Sequence, residues 1–447
     1  MRIVIIGAGN AGRQLAQRLC EEKHSVVMID RDPHNLAQAE AGLDILTICG
    51  QGSNPLVLQE AHVEKCDLLI AVTDNDEVNI LSCLFAHAAG VKGKIARVTN
   101  PDFLSSTNGY DLRKMGIDLV INQKHECARE VFNMLQIPGA QEAFDLFSGK
   151  VMVAGFAVNT MSPLFDRTPA ECDRLDLMQS VRVIAIRRNN ELVVPHGNTL
   201  FLQDDVVYLV GKRQDVANFF LWVQPDVAPF EKVIIAGGGD LGLMLAKCIE
   251  NEVDTVLLEH DEERAKFCSM ELHKTLILRA DALTESALEE SGLHDKTAFV
   301  ALTGDDEGNI MNCLMAQKKG ASFTATQITR TDFIPVVESL YLVNRVVSPY
   351  ISTANAILHW LRSKKVRAAS LLHNLPGELL DVVIAPNHKI DGTCIKDIRI
   401  PSTAIIATVL REGEVMTATG DLQLQAEDRV LVFCHPDAVK KIRAIFL

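Results

Sequence analysis

The 447-residue chain carries 44 Lys and Arg against 58 Asp and Glu, a net charge of −14. That balance excludes a general phosphate-backbone binder, which needs a basic face, so no nucleic-acid partner is expected. Apolar residues make up 48% and aromatics only 5%, which suits a Val/Ile/Leu/Ala-rich α/β globule and excludes a disordered or fibrous chain.

The first 135 residues alternate short apolar runs with helical stretches, the pattern of a parallel sheet with crossover helices. Strands are predicted at 3–6, 26–29, 45–48, 68–72, 95–98 and 118–121. Residues 183–211 change texture: short alternating strands with a turn at Asn189-Asn190 predict a hairpin that ends in a short helix. A Pro-containing stretch, 222–232, reads as a linker. Strands are then predicted at 233–236, 255–258, 276–279, 299–302, 325–328 and 345–347, spaced almost as in the first set.

The repeat extends beyond spacing. VTDNDEVNILSCL at 72–84 and LTGDDEGNIMNCL at 302–314 share seven of thirteen residues, where chance gives about one, so the chain is an internal duplication. The small lobes repeat as well: 183–211 resembles 406–434 in Arg188/Arg411, Glu191/Glu414, Gly197/Gly420 and Asp205/Asp428, with a second hairpin turn at Gly413. The fold class is therefore α/β, with two Rossmann-like doubly wound parallel sheets, each followed by a small α+β lobe. The expected domains are 1–138, 139–224, 230–366 and 367–447.

Each Rossmann half opens with GxGxxG between a strand and a helix. Gly7, Gly9 and Gly12 fill the first fingerprint, and Gly237, Gly239 and Gly242 the second. The first glycine permits the turn, the second lets a pyrophosphate approach, and the third lets helix and strand pack closely. The following helix aims free N–H groups and its positive dipole end at the phosphates. An acid at the end of the second strand, Asp30 or Glu259, suits ribose hydroxyls and repels a 2′-phosphate, which favours NAD(H) or an adenine nucleotide over NADP(H); Arg31 beside Asp30 works against that preference.

Thr73 and Thr303 end the fourth strands, placed to meet a phosphate or the second ribose, while Asp76 or Glu77 is expected to cap the next helix. Arg97 has two readings, a charge-assisted fork to phosphate oxygens or a surface salt bridge; the second copy has Gln327 there and lacks the charge.

A nicotinamide enzyme needs a second region that supplies substrate contacts and a positioned acid or base. Only small hairpin-rich lobes follow each Rossmann half. No His/Asp, Ser/Lys or Tyr/Lys constellation emerges, and His125 reads as a polar residue on a surface helix. The 11 cysteines and 13 histidines are dispersed without metal-ligand spacing, so no metal is assigned and the thiols read mostly as small buried residues in a reducing compartment. Nucleotide binding without a reaction centre points to a sensor, with an NAD-dependent oxidoreductase as the alternative.

No signal-peptide pattern opens the sequence and no apolar run is long enough to span a bilayer, so membrane association is expected only through a partner. The acidic balance permits docking on basic cytoplasmic loops of a membrane protein.

The order GAGNAG, VVMIDRDP with Asp30, CGQGSNPLVLQEAHVEKCDLLIAVTDNDEVNI and IARV resembles the N-terminal half of a regulator-of-K⁺-conductance (RCK, or KTN) module. The small lobes resemble its C-terminal half. Two modules in one chain are similar to the regulatory subunits of bacterial Trk potassium uptake systems. The resemblance implies a non-enzymatic cytoplasmic protein, peripheral to the inner face of the membrane, that binds NAD(H) and adenine nucleotides such as ATP or ADP. It further implies gating of a K⁺-translocating membrane subunit, from a homotetramer whose modules form a ring.

By position it implies nucleotide contacts from Gly7, Gly9, Gly12, Asp30, Thr73 and Arg97, and from Gly237, Gly239, Gly242, Glu259 and Thr303; the first-turn residues Asn10 and Ala11, with Gln51 and Asp281 after the third strands, complete the candidate set. The sequence departs from the family pattern after the third strand, where many modules read adenine with an Asp: Gln51 stands there in the first copy and Asp281 in the second.

Overall fold

The computed structural model describes residues 1–104, 111–147, 149–172, 176–189, 191–224, 227–365, 369–370 and 377–446. The expected turn residue Asn190, linker residues 225–226 and the domain boundary at 366–367 lie outside the described residues. The chain divides into two compact units: Met1–Phe132 with Glu231–Trp360, and Asn133–Phe230 with Leu361–Leu447.

In chain order, the first Rossmann half has strands β1 (Arg2–Ile6), β2 (Ser25–Asp30), β3 (Leu46–Cys49), β4 (Leu68–Ala71), β5 (Gly93–Arg97) and β6 (Leu119–Ile121). Its helices are α1 (Asn10–Glu21), α2 (Pro33–Glu40), α3 (Pro55–Glu60), α4 (Asp76–Ala88), α5 (Pro101–Leu104) and α6 (Gln123–Gln136). The first lobe has β7 (Glu142–Leu146), β8 (Val151–Ala157), α7 (Pro169–Cys172), α8 (Asp176–Ser180), β9 (Val181–Arg188), β10 (Glu191–Val193), β11 (Val206–Lys212) and α9 (Arg213–Val223).

The second Rossmann half has β12 (Lys232–Ala236), α10 (Asp240–Ile249), β13 (Asp254–Glu259), α11 (Glu262–Glu271), β14 (Leu276–Arg279), α12 (Glu285–Glu290), β15 (Thr297–Ala301), α13 (Asp306–Lys318), β16 (Phe323–Gln327), α14 (Ile334–Ser339), β17 (Arg345–Val347) and α15 (Pro349–Lys365). The second lobe has β18 (Ala369–Ser370), β19 (Glu378–Val383), β20 (Ala404–Arg411), β21 (Glu414–Thr417), β22 (Arg429–Cys434) and α16 (Val439–Phe446).

Both sheets of the first unit are six-stranded and parallel, in the orders β3-β2-β1-β4-β5-β6 and β14-β13-β12-β15-β16-β17. Ile3–Ile6 and Leu68–Ala71 are almost wholly buried, because helices cover both faces of a parallel sheet. The order reverses between β1 and β4, and again between β12 and β15; a crevice opens at the carboxyl ends there. Cys83 donates to Ile95 O and Cys313 to Ala325 O, each at 3.3 Å, so the duplication reaches the helix-to-sheet packing. Burial pushes the Cys313 thiol up to about 12, which keeps it unreactive. Most of the cysteines are buried, as expected, with Cys49 and Cys248 exposed.

The second unit holds two five-stranded antiparallel sheets, β10-β9-β11-β8-β7 and β18-β19-β22-β20-β21. They share one apolar core, in which Val151, Ile184 and Tyr208 meet Leu379, Ala407 and Phe433. Asn189 (φ 51°) and the Glu412-Gly413 pair (φ 49° and 85°) make the expected hairpin turns. The matched positions in the two lobes are an ion-pair pin: Arg188 forks onto buried Asp205 at 2.8 and 2.7 Å, and Arg411 onto Asp428 at 2.8 and 2.8 Å. The expected linker starts too early, since α9 runs through Val223. Its face of Val216, Phe219, Phe220 and Val223 is buried at helical spacing, and that burial carries the helix past Trp222.

Candidate functional site

The three fingerprint glycines each meet a distinct constraint. Gly7 and Gly237 take φ of +106° and +109°, which only glycine adopts without strain. A Cβ on Gly12 would lie 1.9 Å from Gly7 O, and one on Gly242 2.0 Å from Gly237 O, so the helix can sit against its loop only without a side chain. A Cβ on Gly9 or Gly239 would meet nothing within 4 Å. The middle glycine therefore faces open space at the start of α1 or α10, where first-turn amides have no intrahelical acceptor. An uncapped helix start beside open space fits a phosphate group.

The acids that follow β2 and β13 hold the loops. Asp30 accepts from Ala8 N at 2.6 Å and Asp32 N at 2.8 Å; Glu259 accepts from Gly238 N at 2.7 Å and Asp261 N at 2.9 Å. Both oxygens of each carboxylate are engaged by backbone, and Glu259 is only 7% exposed. Gln51 and Asp281 lie exposed beyond the third strands, and Asp281 accepts from Leu283 N at 3.0 Å.

Thr73 and Thr303 lie on the other side of the crevice. A Cβ on Gly7 would come within 3.0 Å of Thr73 N, so strand β4 closes directly on the first loop. Thr73 Oγ1 donates to Asn79 Oδ1 at 2.7 Å, and Asn79 Nδ2 donates to Thr73 O and Arg97 O, each at 2.9 Å. Asn309 does the same for Thr303 O and Gln327 O at 3.0 and 3.2 Å. These fully buried asparagines hold the ends of two strands together and escaped the sequence reading, although both lie inside the repeated segment.

The expectation that Asp76 or Glu77 caps α4 is corrected. Asn75 is the cap, accepting from Val78 N at 2.7 Å. Asp76 instead accepts from Thr99 N and Asn100 N at 2.9 and 2.8 Å, and Asp306 accepts from Thr329 N and Arg330 N at 2.9 and 2.8 Å. An Asp one residue inside a helix points across the crevice, where loop amides after β5 and β16 lack partners of their own.

Arg97 forms no ion pair among the described residues, so its salt-bridge reading falls away. Its Nη1 donates to Gln123 Oε1 at 3.0 Å, and its Nε is buried without a partner. Burial lowers its pKa, opposed by nearby Asp76, Tyr350 and Asp74. His125 lies on α6 with 63% of its side chain exposed, as expected.

Two arginines brace the loops from different elements. Arg13, on α1, donates to Ala8 O at 3.1 Å and to Asn10 Oδ1 at 2.7 Å. Arg264, on α11, donates to Gly238 O at 2.6 Å and to Asp240 Oδ1 at 2.8 Å. Asp240 also takes Lys124 Nζ at 2.5 Å, from α6 of the first Rossmann half. The Lys124 hydrogen bond, with Arg264 adding to it, holds the Asp240 carboxyl below its ordinary value. Nothing in the local sequence announces this contact between the halves. Ala11 is buried in the first turn of α1.

Two parallel sheets with glycine loops, each with an antiparallel lobe, define a chain of two tandem RCK modules. The TrkA-N domain model matches residues 3–123 and 233–349, and the TrkA-C domain model residues 153–223 and 379–447. The Trk system potassium uptake protein TrkA of Halomonas elongata is 30% identical over 437 residues, covering 97% of this chain and 95% of that protein. The TrkA homologue of Archaeoglobus fulgidus is 32% identical over 447 residues, covering 100% of both. The chain belongs to the TrkA family of Trk system potassium uptake proteins. Its fold is that of the GsuK RCK domain, with a TM-score of 0.62 at 17% identity over 100% of this chain and 94% of that one. The GsuK channel bound to NAD matches at a TM-score of 0.62 and 17% identity, over 100% of this chain and 78% of that one. Among the described residues no helix is long and apolar enough to cross a membrane.

Proposed function

We propose that the protein is the peripheral, cytoplasmic regulatory subunit of a Trk-type potassium uptake system. It binds NAD(H) and adenine nucleotides at its two glycine loops and gates a K⁺-translocating membrane subunit. The observation that carries this is the pair of open helix starts behind Gly9 and Gly239, each with a glycine-only turn in front and an acid behind. The family's TrkA-N domain at both places supports the reading, as does a fold neighbour solved with NAD.

Phosphates lie over the amides of Asn10 and Ala11 in the first loop, with Thr73 and Arg97 across the crevice. In the second, Thr303 faces the loop of Gly237, Gly239 and Gly242. Asp30 serves two ends: its oxygens already hold the loop, and its remaining lone pairs accept ribose hydroxyls. Gln51 and Asp281 meet the adenine edges from beyond the third strands. The role is regulatory and non-enzymatic, and the modules assemble as a homotetrameric ring. Nucleotide acts by binding two arrangements of that ring unequally, with a typical coupling of about 1 to 3 kcal/mol.

Calorimetry on the purified full chain tests the binding: NADH or ATP should bind at micromolar to millimolar concentration, and Gly9→Asp should abolish binding at the first loop. Binding of neither ligand to the wild type would remove the sensor reading. Steady NADH turnover with a candidate substrate would favour an oxidoreductase instead. Copurification with the membrane subunit, followed by K⁺ flux with each nucleotide, tests the gating.

A further inference from the structure

The two loops differ in charge at the residue that opens the phosphate-facing helix. In the first it is Asn10, neutral, bound by Arg13 of the same helix. In the second it is Asp240, half exposed, placed directly after the open Gly239. The cation across the crevice changes in the same sense, from half-buried Arg97 to Gln327. At these two equivalent positions the second crevice is therefore more negative by two unit charges. Lys124 of the first Rossmann half and Arg264 of α11 offset this at Asp240, with contacts of 2.5 and 2.8 Å.

We propose that Asp240 determines specificity at the second loop, making it discriminate against each further negative charge on the phosphate chain of an adenine ligand. Lys124, supplied by the other Rossmann half, softens the discrimination. The proposal rests on the reading that the second loop binds a nucleotide. A carboxylate at the first residue of α10 is itself favoured by the helix dipole, so it is stable there. It also occupies the end of the helix on which a ligand phosphate would draw. Repulsion between Asp240 and each phosphate charge acts across a partly solvated gap, so it is modest per charge and accumulates along the chain. Adenosine carries no such charge and is unaffected.

The test is calorimetry on the full chain with the first loop silenced by Gly9→Asp, titrated with adenosine, ADP and ATP with and without Asp240→Asn. Asp240→Asn installs the side chain the first loop already carries. It should raise ATP affinity about tenfold and ADP affinity about threefold, and leave adenosine within about twofold, with the gains shrinking at high salt. Lys124→Gln alone should lower ATP affinity severalfold. The reciprocal Asn10→Asp, in a chain with both loops intact, should weaken ATP at the first loop about tenfold. Equal changes for all three ligands, or none, overturn the proposal. So does a silenced chain that binds nothing with either residue at 240, since Asp240 then limits nothing. In that last case binding at the intact first loop still upholds the functional reading, so the two failures are distinguishable.

Discussion

The two Rossmann halves keep the residues that hold the crevice together and change those that face its opening. Asn79 and Asn309 make the same three-way tie between strand ends, and Asp76 and Asp306 the same bridge to the loops after β5 and β16. Asn10 against Asp240, Arg97 against Gln327, and Gln51 against Asp281 all differ in charge. Even the brace on the loop carbonyl is the same contact made from different helices, by Arg13 on α1 and Arg264 on α11. A buried polar tie permits one geometry, whereas an exposed position tolerates any charge that solvent and neighbours can compensate.

The largest test of this comparison removes the shared ties. Asn79→Ala and Asn309→Ala should each cost about 3 kcal/mol in chemical denaturation, because each strands several buried backbone and hydroxyl partners. A loss confined to one half would break the equivalence. Next come the glycines. Gly12→Ala and Gly242→Ala should each cost about 2 kcal/mol and displace the loop, since the new Cβ overlaps a carbonyl oxygen. Gly9→Ala, with open space around its Cβ, should change stability by less than about 0.5 kcal/mol and act on nucleotide affinity alone.

Arg97→Gln makes the first crevice resemble the second. It should weaken ATP at the first loop about tenfold, or about 1.4 kcal/mol, read by calorimetry, with melting temperature little changed. A pH-dependent effect concerns the contact between α6 and α15, where Glu130 meets Ser352 Oγ at 2.5 Å. Burial raises the Glu130 pKa above the ordinary 4.5, against the Ser352 hydrogen bond and Arg129, and with Glu126 adding to the rise. A raised carboxyl binds its proton more tightly when folded, so its contribution is present below the unfolded value and is lost as pH rises through the folded one. Glu130→Gln should therefore match the wild type near pH 4 and exceed it at pH 7, by less than about 1 kcal/mol, in denaturant melts across that range.

The strand order, the glycine turns and the lobe hairpins were legible because each is a local or periodic signal: apolar runs of strand length, a glycine where φ is positive, a turn between alternating residues. Arg188 with Asp205 and Arg411 with Asp428 were visible as matched positions, though their forks appear only in the fold. Capping by Asp76 was misjudged because an acid in a first helical turn looks the same in sequence whether it caps its own helix or ties a distant loop. The end of α9 was misjudged because its prolines lie just beyond an apolar face that packs.

By itself the sequence determined the duplication, the alternating architecture and the two GxGxxG turns, since those rest on spacing along the chain. Only the tertiary structure decided that Lys124 meets Asp240 across 116 positions, that Arg13 and Arg264 make one brace, and that both lobes share a core. The physical reason is the same in each case. A side chain's partner is set by which faces of distant elements pack together, and neither residue type nor local period records that choice.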